Sequence, residues 1–306
     1  MKSALLTDRG VVKVVGDDTR KFLHGLVTAD VLNLNPGGAR FCALLTPQGK
    51  IVVDFLLTEA PAANGGGFFL DVERGQIAAL VAKLNLYKLR AKVIAEDLSD
   101  VLVVWAAWDG SPRSILPRAN EAGDAIGLGY EDPRLPALGL RVMLPPQRAA
   151  AAATALGAEL LDAAAYEAHR IALGIPRGGL DYGYGDAFPH EADMDQLGGV
   201  NFQKGCYVGQ EVVSRMEHRG TARTRAVPVR YEGAAPASGA PIVAGDRALG
   251  TMGSAAAGRG IALLRLDRVA DALTGGEALT AGGVPIVPIK PEWARFAFPG
   301  ESKAAK

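Results

Sequence analysis

Two cysteines stand in this chain of 306 residues, and one lies in its densest unusual stretch, Gly199-Val-Asn-Phe-Gln-Lys-Gly-Cys-Tyr-Val-Gly-Gln-Glu211. Helical spacing resumes at Val208, Val212, Val213 and Met216, which predicts that Cys206 sits at or just before a helix N-terminus. The helix dipole and Lys204, two positions back, would both favour the thiolate, the reactive and metal-binding form of cysteine. Gly205 and Gly209 leave room for backbone or ligand to come close. A buried structural cysteine in a tight turn is the alternative. Cys42 lies on an apolar strand with Arg40 as its one basic neighbour in sequence.

Asp54 is the second feature. On a strand, Ile51, Val53, Phe55 and Leu57 share one face while Val52, Asp54, Leu56 and Thr58 share the other. A carboxylate among such neighbours is either paired or functional, because burying a lone charge is costly. An edge-strand Asp facing water is the bland reading. The third feature is a switch of charge. Residues 181–195 hold five acids (Asp181, Asp186, Glu191, Asp193, Asp195) and no Lys or Arg, and residues 214–230 hold five arginines against Glu217. Such runs usually pair with each other. A basic mouth that reads carboxylates, or an acidic cluster that binds a ring, are the functional readings. His190, Glu191, Asp193 and Asp195 fit no common ligand spacing, so no metal site is assigned. No Walker loop, Gly-x-Ser-x-Gly or Gly-x-Gly-x-x-Gly after a strand anchors nucleotide or serine chemistry.

The elements that must carry these residues mix without the strict alternation of a doubly wound sheet. Val11–Val15 reads as a strand, and Asp17 or Asp18 can cap a helix bearing Phe22, Leu23, Leu26 and Val27. Phe41–Thr46 and Ile51–Thr58 form two strands around a Pro47-Gln48-Gly49 turn. Phe68–Val72, Lys92–Leu98 and Val101–Trp105 are further strands, and residues 76–90, 147–156 and 162–173 are helices. Ser111–Pro117 and Glu131–Pro136 read as connections, and Glu301–Lys306 as a frayed tail. From about Thr224, short Val, Ile and Leu runs alternate with Gly, Pro and Asp, as in a small antiparallel barrel. The fold class is α+β. A boundary near residue 220 divides it into residues 1–220, two interleaved subdomains with 44–110 inserted, and a barrel over 221–306.

Composition sets the outer limits. Lys plus Arg and Asp plus Glu each number 33, a zero balance that argues against a duplex nucleic-acid binder. The longest strongly apolar run, Val101–Trp108, is far short of the roughly 20 residues that span a bilayer. The first residues carry no apolar core of a signal peptide and no Arg- and Ser-rich transit bias. Two distant cysteines imply no disulfide framework, so the expected home is a reducing cytoplasm.

Lys204-Gly-Cys-Tyr-Val-Gly-Gln-Glu211 resembles the signature of the YgfZ family, folate-binding relatives of the glycine-cleavage aminomethyltransferase (T-protein). Phe22-Leu-His-Gly-Leu-Val-Thr-Ala-Asp-Val31, Leu44-Leu-Thr-Pro-Gln-Gly-Lys-Ile51, Tyr87-Lys-Leu-Arg-Ala-Lys-Val93 and Arg170-Ile-Ala-Leu-Gly-Ile-Pro176 match in the expected order, while the barrel matches in texture alone. The resemblance implies a T-protein-like arrangement of two α+β domains and a small C-terminal β-barrel around a central folate cavity. It implies tetrahydrofolate, or a one-carbon derivative, as cofactor. Glu191 in Phe188-Pro-His-Glu-Ala is similar to the T-protein glutamate that binds the pterin, and a carboxylate suits that ring because it accepts two parallel bonds. Asp54 resembles one member of the T-protein Asp-Asp pair, whose other position is Val53 here. Tyr207 and Arg215 complete the implied folate contacts, the arginines suiting the folate's glutamate tail.

The expected function is support for the assembly or repair of iron–sulfur enzymes, the role of the family's mitochondrial cousins, with Cys206 and Lys204 as the working pair. Expected partners are folate and iron–sulfur client or assembly proteins, with no nucleic acid and no membrane. A folate-dependent aminomethyltransferase or demethylase is the first rival. A thiol or cluster carrier without folate is the second.

Overall fold

A computed structural model describes residues 1–35, 37–62, 65–110, 127–220 and 222–300. The Ser111–Pro117 connection and the Glu301–Lys306 tail fall outside them. The chain opens on β1 (Lys2–Leu6) and β2 (Arg9–Val15), then α1 (Thr19–Leu26). Asp18 occupies the N-cap of α1 but makes no capping bond. It is held in right-handed helical geometry, where its carboxylate turns away from the first turn and instead accepts the Lys92 N–H at 2.7 Å.

Next come β3 (Ala39–Leu45) and β4 (Ile51–Glu59), joined as expected through Gly49, whose φ of 81° is the left-handed geometry that favours glycine. They are followed by β5 (Phe68–Glu73), α2 (Ile77–Tyr87), β6 (Ile94–Asp97) and β7 (Val103–Trp108). Then follow β8 (Leu128–Glu131), β9 (Leu140–Leu144), α3 (Ala149–Ala155), β10 (Glu159–Leu161) and α4 (Ala163–Ala172). Gly174, at φ 75°, stops α4 where the chain turns. After a long stretch without regular elements, α5 (Gln210–Arg219) leads into β11 (Thr224–Tyr231), β12 (Pro241–Ala244), β13 (Arg247–Ala256) and β14 (Arg259–Arg265). The last elements are α6 (Leu266–Thr274), β15 (Leu279–Ala281) and β16 (Val284–Pro288).

The described residues fall into two compact units. One is drawn from Met1–Pro47, Val52–Tyr166 and Leu197–Gln210, the other from Gln48–Ile51, Glu167–Gln196 and Glu211–Lys306. The first contains two five-stranded sheets, ordered β3-β4-β5-β2-β6 and β10-β1-β7-β9-β8. On the first sheet Val53, Phe55 and Leu57 of β4 meet Leu23 and Leu26 of α1 and Ile77, Leu80 and Leu84 of α2 in one apolar core. On the second, Trp105, Val142 and Leu144 pack with Ala149, Ala152 and Ala153 of α3. The second unit carries the closed barrel β11-β14-β13-β12-β15-β16, with Val227, Ile242, Leu264 and Ile286 in its interior. The α+β class and the barrel are as expected. No helix among the described residues is long and apolar enough to cross a membrane.

Candidate functional site

The motif loop, residues 197–210, is fastened to the first unit at three points. Thr28 Oγ1 donates to the Gly199 carbonyl at 2.6 Å, and the Asn201 N–H donates to the Thr28 carbonyl at 2.9 Å. The Asn201 side-chain oxygen accepts from the backbone N–H groups of Gln203 and Lys204, the local turn that Asn characteristically makes. Lys204 then sends its ammonium inward, donating to the carbonyls of His24 (2.5 Å) and Val27 (2.6 Å) at the end of α1. It also lies 4.9 Å from the Tyr207 ring centre. Burial lowers the Lys204 pKa from 10.5 to about 8.

Cys206 follows this anchored residue and is exposed to solvent, so it is not a cysteine buried in a turn. It also lies outside the first turn of α5, because Tyr207, Val208 and the left-handed Gly209 (φ 81°) intervene before Gln210. A helix dipole fades within a turn and gives the thiol little at that distance. Cys42 is the buried thiol, and burial pushes its pKa far up. Tyr207 is buried too, its pKa raised to about 12 by burial, and its hydroxyl has no hydrogen-bond partner among the described residues. Beside the loop a cavity of about 510 Å³ is lined by Asp30, Arg40, Phe41, Asn201, Phe202 and Gln203, among others, so it offers both aromatic faces and polar groups. Asp54 and Tyr207, of the same unit, do not line it.

Asp54 is 7% exposed, and β4 runs between β3 and β5, so the water-facing edge strand is excluded. Its face of the sheet carries a polar network that no sequence spacing announces. Asp71, directly across from Leu56, accepts from Arg9 Nε (2.5 Å), Arg141 Nη1 (3.1 Å) and the Tyr130 hydroxyl (3.1 Å). Arg141 also donates to Asp132 and to the Tyr166 hydroxyl, and Arg134 holds Asp132 through two bonds. Burial opposes ionisation of Asp132, but the two guanidinium groups outweigh it and keep its carboxyl below the usual range. Arg9, Arg141 and Asp71 join the two sheets of this unit.

In the second unit the acidic and basic runs pair at one arginine, Arg225, which is buried. Arg225 donates to both Asp195 oxygens (2.6 and 3.0 Å), to Asp193 Oδ1 (3.1 Å) and to the His190 carbonyl (2.9 Å), beneath the Phe296 ring. Asp181 takes Arg170 at 2.8 Å and two bonds from Ser254. Asp193 is fully buried at φ 54°. Burial, with the Asp195 charge adding and Arg225 opposing, holds its carboxyl well above the usual range.

Glu191 is half-buried. Its Oε2 accepts the Phe188 N–H at 2.8 Å, and Oε1 has no partner among the described residues. Arg215 is exposed on α5 without an ion pair among them. Glu217, remote in sequence, brings a carboxylate to His190 Nε2 at 3.0 Å, and His190, Asp195 and Glu217 could together face a metal ion. Each of the three is already engaged, His190 and Glu217 with each other and Asp195 by Arg225, which makes this a hydrogen-bonded cluster.

Residues 223–296 match the family model described as the CAF17 C-terminal beta-barrel domain. A mitochondrial iron-sulfur cluster assembly factor IBA57 homolog of Mycosarcoma maydis is 36% identical over 243 residues, covering 75% of this chain and 57% of its own length. Its counterpart in Pyricularia oryzae is 31% identical, covering 90% and 75%, and mitochondrial IBA57 of Mus musculus is 32% identical, covering 86% and 77%. Among solved structures, the glycine cleavage system aminomethyltransferase T of Bartonella henselae superposes with a TM-score of 0.75 at 16% identity, over 97% of this chain and 87% of that one. The expected T-protein-like fold is therefore present.

Two expectations are corrected. The cytoplasmic assignment fails, because these relatives are mitochondrial proteins and unpaired cysteines name no compartment. The YgfZ assignment rested on stretches within residues 22–211 and treated the barrel as texture, whereas the barrel is the part that matches a family model. The chain belongs to the IBA57 family of iron–sulfur cluster assembly factors.

Proposed function

We propose that this protein supports the assembly of iron–sulfur clusters through Cys206, and that it binds a tetrahydrofolate through Glu191. The observation that carries the reading is the immobilised loop. Asn201 and Lys204 spend their polar groups on backbone, and the next side chain but one, Cys206, is left facing solvent. A thiol held in that way can lose its proton and ligate an iron atom of a cluster that arrives as cargo. A cluster takes about four protein ligands, so the remaining ones come from a partner protein or small thiols.

The folate part rests on the donor set. Glu191 keeps Oε1 and the second lone pair of Oε2 for the amino group and N–H of a pterin. Arg215, exposed in the same unit as Glu191, suits a glutamate tail. A bound tetrahydrofolate would supply one-carbon chemistry. The valine at position 53, packed in the apolar core, weakens the transferase alternative, which calls for a second carboxylate there.

The test is Cys206→Ser in a strain lacking the chromosomal gene. Serine keeps the size of the thiol and cannot form an anion near neutral pH. Iron–sulfur enzyme activities should stay at the deletion level while protein abundance and tetrahydrofolate affinity are unchanged. Full recovery of those activities would overturn the role of Cys206.

A further inference from the structure

Helix α2 presents a second surface. Its inner face, Ile77, Leu80 and Leu84, is buried in the first unit's core. A surface helix normally balances such a face with charged residues on the other. Here the other face is Ala78, Ala79, Ala82, Asn85 and Leu86, all exposed, with Lys83 as its one charge. Leu86 is 63% exposed and Leu89, just beyond the helix, 86%. Leu89 has φ 45°, a left-handed conformation that is strained for a residue with a Cβ. Glycine or asparagine would take that turn more cheaply, so local backbone geometry does not account for a leucine held out in water.

Along the chain the charge around this helix has one sign. From Arg74 to Ala95 the sequence contains no Asp or Glu. Lys83, Lys88 and Arg90 flank the two leucines, and none makes an ion pair among the described residues. A second copy of the chain packed on this face would bring like charges together in an isologous contact, which disfavours it. A membrane surface calls for Trp, Phe or Leu along the buried face, whereas the alanines here offer little to insert. Small residues suit the close approach of another helix.

We propose that Ala78, Ala82, Leu86 and Leu89 form a docking face for an amphipathic helix of a partner protein, one that carries carboxylates beside its apolar stripe. Leu86 and Leu89 fill its apolar side, and Lys83, Lys88 and Arg90 meet its acids.

The test places photoreactive benzoylphenylalanine at position 86 of the full chain in its native cells, with position 273 on α6 as the exposed control. A single adduct should form at position 86 alone, joined through a helical segment rich in Asp or Glu. Purified, that partner should bind the unmodified chain with affinity that falls as salt rises. Leu86→Glu should weaken it by about tenfold or more, the scale of a well-packed interface anchor. Leu89→Gly should weaken it while leaving the folded chain at least as stable, since glycine accepts the left-handed turn. The proposal is overturned by no adduct above the control, by adducts to another copy of this chain, or by undiminished affinity in folded Leu86→Glu. Binding to anionic phospholipid vesicles that Leu86→Glu abolishes would reassign the face to a membrane.

Discussion

The Lys204 ammonium donates to the Val27 carbonyl at 2.6 Å, so a loop residue supplies the C-terminal cap of α1. Helix ends leave carbonyls without intrahelical partners, and a cation there also meets the favourable end of the helix dipole. Lys204→Met keeps the length of the side chain and removes the donors. It should lower unfolding free energy in urea by about 1–3 kcal/mol, the cost of leaving buried acceptors unmade. An unchanged midpoint would show that water replaces the ammonium freely.

The same ammonium makes stability depend on pH. Its folded pKa of about 8 lies below the ordinary 10.5, because burial disfavours the charged form. Between those values the unfolded chain binds the proton and the folded chain does not, so this contribution grows as pH rises. It is fully present above the unfolded pKa and lost as pH falls through the folded one. The stability of the wild type relative to Lys204→Met should therefore be greater at about pH 10 than at about pH 7.5. A difference that does not change with pH would refute it.

Asp71 anchors two arginines and a tyrosine with no exposure to water. Asp71→Asn leaves Arg9 and Arg141 short of a counter-charge in the interior. The expected loss is about 3–5 kcal/mol in urea or thermal unfolding.

Asp193 and Asp195 touch the same guanidinium and should respond in opposite ways. Asparagine at position 193 keeps the acceptor for Arg225, tolerates φ 54°, and removes a carboxyl that ionises at a cost. The native Asp193 contributes stability at acid pH that is lost as pH rises through its raised folded pKa. Asp193→Asn should therefore match or exceed the wild type at neutral pH. Asp195→Asn breaks the two-oxygen grip on Arg225 and should cost about 3–5 kcal/mol. Equal effects of the two substitutions would contradict this division.

Glu191→Ala should weaken tetrahydrofolate binding by about tenfold or more, on two charge-assisted bonds of about 1.5–3 kcal/mol each. The fold should survive, since Oε2 serves only the Phe188 N–H. Calorimetric titration decides it, and unchanged affinity in a folded variant would remove Glu191 from the site.

What the sequence disclosed was local. The Pro47-Gln48-Gly49 turn, the buried spacing of Ile77, Leu80 and Leu84, and the alternation that sets Asp54 opposite Val53 all follow from periods of two or 3.6 residues. The Arg9–Asp71–Arg141 network joins residues 62 and 70 positions apart, and no periodicity encodes such pairs. Lys204 was visible as a cation near a cysteine. Its partners are backbone carbonyls up to 180 positions away, which have no residue type to recognise. The octapeptide around Cys206 pointed to a T-protein-like fold and not to the branch within it, since a shared loop reports what relatives have in common.

Because Thr28, His24 and Val27 are completed by Gly199, Asn201 and Lys204, the first unit is not a product of the chain's first half. During synthesis the sheets up to Tyr166 emerge early, yet α1 waits for its cap until the ribosome has passed Glu167–Gln196, a segment of the other unit, and made Lys204. Cys206 is thus translated into a fold that closes around its own loop, and the thiol reaches its anchored position only as that closure is made.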